Sequence, residues 1–250
     1  MDMRSTLILI GGILLLALLV GVVLMPYFRR RGGGRLVMGF CKTLVGLPIR
    51  LYWRVNYVGF EKLPEPPTKG GLIVVSNHTS GLDPVLIEYR CNYDIRWMMW
   101  AAMMVPGVKQ FVRWTGTIPI NFAAADRTAL RSCTQILKAD GVIGIFPEGG
   151  IVRPEKHIRP FMRGVGMLVA TSKARVLLVH VSGIPERKSA FSSILYPCRA
   201  RVEVVDLIDF EGERDMTKIT ETLRTRLQAA SGWPLEDTPL VGDSSSESPE

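Results

Sequence analysis

The chain has 250 residues, is 47% hydrophobic, and carries 31 Lys and Arg against 23 Asp and Glu, for a formal charge of +8. That much apolar content at this length excludes a disordered chain and a small disulfide-stapled domain, and suits one domain with appendages. The last sixteen residues hold five acidic and no basic side chains, so the body is more basic than the total and calls for an anionic partner: nucleic acid, anionic lipid, or a phosphate-bearing substrate.

Residues 6–25 are twenty uncharged positions, TLILIGGILLLALLVGVVLM. At about 1.5 Å per helical residue they span roughly 30 Å, the thickness of a bilayer's hydrocarbon core, which predicts a transmembrane anchor over residues 1–28. A cleaved signal peptide has a shorter apolar region, about 7–15 residues, and an A-x-A-like site, which is absent here. Arg29, Arg30, Arg31 and Arg35 follow, whereas only Arg4 precedes, opposed by Asp2. By the positive-inside rule the bulk of the chain faces the cytoplasm.

Residues 29–54 add Lys42, Arg50 and Arg54, contain no acidic residue, and interleave apolar ones as LVMGFCKTLVGLPIRLYW. Two compatible readings follow. One is a segment lying on an anionic membrane surface, where each basic residue contributes about 1 kcal/mol. The other is an amphipathic helix packed on the domain. The four cysteines stand far apart with no CxxC pair or metal-ligand spacing, and read as reduced.

From 54 to 208 short β-type runs alternate with helical stretches, which predicts an α/β layered domain with a central sheet. GLIVV (71–75) is a buried strand, 76–82 a polar loop, and Asp83-Pro84 the start of a helix, with Asp as cap and Pro in the first turn. Further on come a helix over 124–138, a strand over 141–146, a helix over 163–173, strands over 175–181 and 201–207, and a closing helix over 216–230. Residues 235–250 read as a disordered acidic tail.

Two loops carry chemistry. In Asn77-His78-Thr79-Ser80-Gly81-Leu82-Asp83 a carboxylate can hold one imidazole nitrogen and leave the other as a general base. No protein nucleophile accompanies the pair, which suits a reaction whose nucleophile is a substrate hydroxyl. In the second loop the strand ending at Phe146 meets Pro147-Glu148-Gly149-Gly150, where paired glycines permit close backbone approach to a ligand. Arg153, Lys156, His157, Arg159 and Arg163 follow, opposed by Glu155 alone. Such a cluster is either a phosphate site or a solvated basic loop.

The ordered combination NHxxxxD, GxIPI, FPEG and PFxRG resembles the glycerolipid acyltransferase family, whose best-known members acylate 1-acylglycerol 3-phosphate. The first block stands at Asn77, His78, Asp83 and Pro84, the second at Gly116, Ile118, Pro119 and Ile120, and the third at residues 146–149 and 160–164. The flanks RVNYVGFEKLP and VLLVHVSGIP are also similar to the family's, so the likeness covers residues 55–184. It implies an acyltransferase-type domain over 55–234 with a central mixed sheet, and acyl transfer from acyl-CoA or an acyl-carrier protein to a hydroxyl of a lysophospholipid-like acceptor. His78 would be the base and Asp83 its orienter. Asn77, Glu148, Gly149, Gly150, Arg153, Arg159 and Arg163 are the candidate substrate-binding residues.

No metal or organic cofactor is implied, since a thioester is already activated, and no nucleic-acid module is present. This chain departs from the family at Phe122 and at Gly150-Ile151-Val152, where relatives have acceptor-binding arginines, so the expected divergence is in the acceptor. WMMWAAMM (97–104) is either an acyl-chain lining or a plain core segment. The alternatives are a membrane-anchored lipid-binding protein on a catalytically decayed fold, and a lipid hydrolase, for which no G-x-S-x-G elbow is present.

Overall fold

The computed structural model describes residues 2–65, 69–104, 110, 114–121, 126–153, 156–187, 189 and 192–240. Helix α1 (Met3–Leu19) runs through a π-helical turn (Val20–Leu24) into α2 (Met25–Arg31). The wide turn lies just before Pro26, whose missing N–H leaves a carbonyl one turn back without its helical donor. The result is one helix of 29 residues, apolar, unburied, and long enough to cross a membrane.

Helix α3 (Leu36–Leu51) folds back on α2 and divides its two faces between two environments. Met38, Lys42 and Ile49 are buried, whereas Val37, Phe40, Leu44, Leu47 and Leu51 form an exposed stripe at alternating spacings of three and four. The basic residues of this stretch do not all face outward. The Lys42 ammonium is buried 3.5 Å from the Glu88 carboxylate and donates to the carbonyls of Cys91 and Tyr93, and Arg35 pairs with Asp94 at 3.0 Å. Part of the positive charge assigned to a lipid surface therefore ties α3 to the domain.

The sheet has seven strands: β1 (Asn56–Val58), β2 (Leu72–Ser76), β3 (Ile95–Trp100), β4 (Ile118–Ile120), β5 (Val142–Ile145), β6 (Arg175–Ser182) and β7 (Arg201–Ile208), in the order β1-β7-β6-β2-β5-β3-β4. The five strands from β6 to β4 run parallel; β7 is antiparallel to β6, and β1 is parallel to β7. The sheet is thus mixed. Central strand β2 is buried at every position because both faces are covered, which is why it reads as an unbroken apolar run.

On one face Leu72 and Val74 pack with Ile49 of α3 and with Leu86 of α4 (Asp83–Arg90). On the other, Ile73 and Val75 pack against α5 (Arg127–Lys138), α6 (Arg163–Ser172) and α7 (Met216–Ser231), through Leu137, Leu168 and Leu223. The expected helix over 124–138 begins at Arg127 behind the Asp126 cap, which accepts from Thr128 and Ala129; residues 124 and 125 lie outside the described residues. All four cysteines are free thiols.

The C-terminal segment differs from its expected course. Leu235 pairs with Ile158, and Glu236 donates its N–H to the Ile158 carbonyl at 3.1 Å, so residues 233–240 form a strap laid along the 156–159 loop. The remainder of the acidic tail, 241–250, is outside the described residues.

Candidate active site

The site follows from strand register. β2 and β5 are parallel neighbours with Val75 beside Ile145, so the residues three places on, His78 and Glu148, leave the sheet side by side. The His78 N–H donates to Glu148 Oε2 at 3.1 Å. The next peptide is held by the Val152 N–H, which donates to the His78 carbonyl at 3.0 Å. Ligand sites of α/β sheets lie at this carboxyl edge.

Asp83 is fully buried and saturated with donors. Its Oδ2 accepts the N–H of Thr79 at 2.7 Å and of Ser80 at 2.8 Å, its Oδ1 accepts the Thr79 hydroxyl at 3.0 Å, and Oδ2 lies 2.9 Å from His78 Nδ1. Read as a cap for the helix it opens, Asp83 is misassigned. It is the first helical residue, and its carboxylate turns back to close the loop onto the imidazole, whereas the cap position belongs to Leu82. With Nδ1 beside Asp83, Nε2 of His78 stands outside that pair, in a side chain that is 17% exposed.

The imidazole lies flat on the Phe146 ring, with centroids 4.0 Å apart, and Phe146 lies flat on Trp97 at 4.8 Å. This three-ring stack was not foreseen from the sequence, although Gly144 in the middle of an apolar strand signals it. A Cβ there would sit 2.3 Å from the Trp97 ring, so the glycine makes room for the indole to cross β5. Met98 and Met99 are half-buried, while Trp100 beyond them is exposed.

Asn77 anchors the loop from the other side. Its amide donates to the Val181 carbonyl and accepts the Val181 N–H, both at 2.8 Å, which ties β2 to β6 just below His78. The Glu148 carboxylate is 1% exposed and also accepts the Arg159 N–H at 3.3 Å. Burial pushes its pKa up to about 8, against the lowering pull of those two backbone donors.

Gly149 has φ +85, a left-handed conformation that favours glycine, and a Cβ on Gly150 would meet only Leu240 of the strap, at 3.9 Å. Two of the three candidate arginines are engaged by the protein itself. Arg153 donates to the carbonyls of Thr79, Val152 and Arg187 and lies 3.5 Å from Glu186; Arg159 donates to the carbonyls of Thr238 and Arg153 and pairs with Glu236 at 3.2 Å. Arg163 is exposed at the start of α6, next to Met162, whose N–H donates to the Pro147 carbonyl at 2.7 Å. Phe122 lies outside the described residues.

The chain is thus a three-layer α/β domain that carries an imidazole–carboxylate pair at the carboxyl edge of its central strand. The acyltransferase family model matches residues 54–182, half of the chain, and this protein belongs to that family. It is an acyltransferase. No curated protein is significantly similar to the chain. Among solved structures, the 1-acyl-sn-glycerophosphate acyltransferase PlsC from Thermotoga maritima superposes with a TM-score of 0.60 at 19% identity, over 92% of this chain and 95% of that one, which establishes a shared fold.

Proposed function

We propose that the protein transfers an acyl group from a thioester, acyl-CoA or acyl-carrier protein, to a hydroxyl of a lysophospholipid-like acceptor. The observation that carries this reading is the 2.9 Å contact from His78 Nδ1 to a buried Asp83 that is already fixed by three other donors. Asp83 sets the imidazole's tautomer and stabilises the cation formed. Nε2 takes the acceptor's hydroxyl proton as that oxygen attacks the thioester carbonyl, and returns a proton to the departing thiolate. An intact pair of this kind argues against a binding-only role.

Glu148 supports His78 by accepting its N–H, Asn77 by tying the base of the loop to β6, and Gly149 and Gly150 let the substrate approach the chain. Arg163 is the best placed of the arginines to meet an acceptor phosphate, because the guanidinium groups of Arg153 and Arg159 are occupied. The N-terminal helix anchors the enzyme in the bilayer, the α3 stripe rests in the membrane surface, and the domain lies on the cytoplasmic face. Reaction in lipid biosynthesis at that surface accounts for the basic body without nucleic acid.

The test is a mass-spectrometric assay of the membrane fraction with acyl-CoA or acyl-carrier donors and a panel of lyso-lipids. His78→Ala should lower acylated product by about 10²- to 10⁴-fold, the worth of base catalysis. Unchanged product would sink the mechanism. Fatty acid release without acylated lipid would show a hydrolase instead.

A further inference from the structure

We propose that a second lipid contact lies at the opposite edge of the sheet from His78. A cavity of about 320 Å³ between the end of the long N-terminal helix and the C-terminal end of α4 would hold the phosphate of an anionic phospholipid of the host bilayer. Arg31, the last residue of the long helix, and Arg90, the last residue of α4, both line it.

Each guanidinium lies over aromatic rings. Arg31 Cζ lies 4.8 Å from the Tyr89 centroid, and Arg90 Cζ lies 5.6 Å from Tyr57 and 5.8 Å from Phe60. A cation–π contact occupies no acceptor, so the N–H donors of a guanidinium held this way remain to match phosphate geometry. Among the described residues neither arginine has an ion pair or hydrogen-bond acceptor, and Arg31 Nε is buried without a partner. Glu65, the one acidic lining residue, is exposed and pairs with neither.

Depth selects the source of the anion. The 29-residue helix is about 43 Å long at 1.5 Å per residue, which equals a bilayer with both headgroup layers, about 40–45 Å, and sets Arg31 at the level of the lipid phosphates. Asp83 opens the helix that Arg90 closes, about 10 Å away by the same rise, so this site is separate from the edge that carries His78. The inference rests on the membrane-anchor reading above.

The test uses the full-length protein in detergent, with native mass spectrometry to count retained phosphatidylglycerol, diacylglycerol and inorganic phosphate, and parallel vesicle flotation. Wild type should retain one phosphatidylglycerol, Arg31→Gln/Arg90→Gln should bind it at least tenfold more weakly at unchanged Tm, and the single Arg31→Gln variant should fall between if the double fails to fold. Equal retention by wild type and variants would overturn the site, as would diacylglycerol retained as well as phosphatidylglycerol. Inorganic phosphate bound without lipid would reassign the cavity to a soluble anion, and loss of lipid on Arg163→Gln instead would move the lipid to the catalytic edge; either result overturns the proposal. Failure of wild type to float with vesicles would refute the anchor, while flotation without arginine-dependent retention would refute only this site.

Discussion

The indole of Trp97 crosses β5 directly over Gly144, so closely that a single added Cβ would lie 2.3 Å from the ring. A methyl at that position cannot coexist with the stack that supports His78. Gly144→Ala is expected to destabilise the fold by about 1–3 kcal/mol, the usual cost of overpacking a filled core. It should also displace Phe146. Denaturant midpoints check the first effect, and kcat measured well below the melting point checks the second.

Trp97→Leu separates positioning from folding. Leucine keeps an apolar filler but removes the flat surface under Phe146, so the imidazole loses its rigid backing. The expected result is a fall in kcat with KM little changed, measured well below the melting point of the variant. A role confined to folding would leave kcat unchanged under those conditions.

Asp83→Asn keeps one acceptor oxygen, which in the place of Oδ2 can still take the N–H groups of Thr79 and Ser80, while the amide NH2 faces the Thr79 hydroxyl. Under the proposed mechanism the imidazolium then loses its negative partner, and kcat should drop by about 10²- to 10⁴-fold. If His78 and Asp83 act as a unit, as proposed, the double variant with His78→Ala should be scarcely worse than the worse single. Full additivity in single-turnover rates would show that the two act independently.

Glu148 gives a pH signature. Its carboxyl ionises near the usual 4.5 when unfolded and at about 8 when folded, so between these values the folded state binds more protons and stability falls as pH rises. The loss should amount to a few kcal/mol, complete above about pH 8. Glu148→Gln cannot titrate, and its unfolding free energy should lack this slope, although one of the two N–H donors then meets the amide NH2. Parallel slopes for the two proteins in urea titrations across pH 5–9 would contradict the assignment.

Asn77→Ala removes two 2.8 Å hydrogen bonds and leaves the buried Val181 N–H and carbonyl unpaired. Each such orphan costs about 1–3 kcal/mol, so a loss of several kcal/mol is expected in chemical unfolding. Asn77→Asp restores only the acceptor and should recover at most part of it.

Much of this fold could be read from the chain because its signals are local. The apolar runs of β2 and β5 each act within a few residues, and their strands fall within a residue or two of their expected bounds, whereas the helix expected from 124 begins at Arg127 behind the Asp126 cap. The loop carrying His78 and Asp83 was visible for the same reason. What escaped was set by tertiary contact. Whether Lys42 faces lipid or Glu88 depends on how α3 packs, and whether Arg159 is free depends on Glu236, 77 residues later in the chain. Residue type and spacing carry neither fact.

The donors of the catalytic loop have a kinetic corollary. The amide hydrogens of His78, Thr79 and Ser80 are all given to buried carboxylates, as if the loop were a continuation of the strand before it. Such hydrogens exchange with solvent through large-scale opening rather than through local fraying. The His78 loop should therefore rank with β2 among the slowest-exchanging parts of the molecule. Any motion that admits a lyso-lipid must then come from elsewhere, and the strap that brings Leu240 beside Gly150 is the neighbouring element free of the sheet.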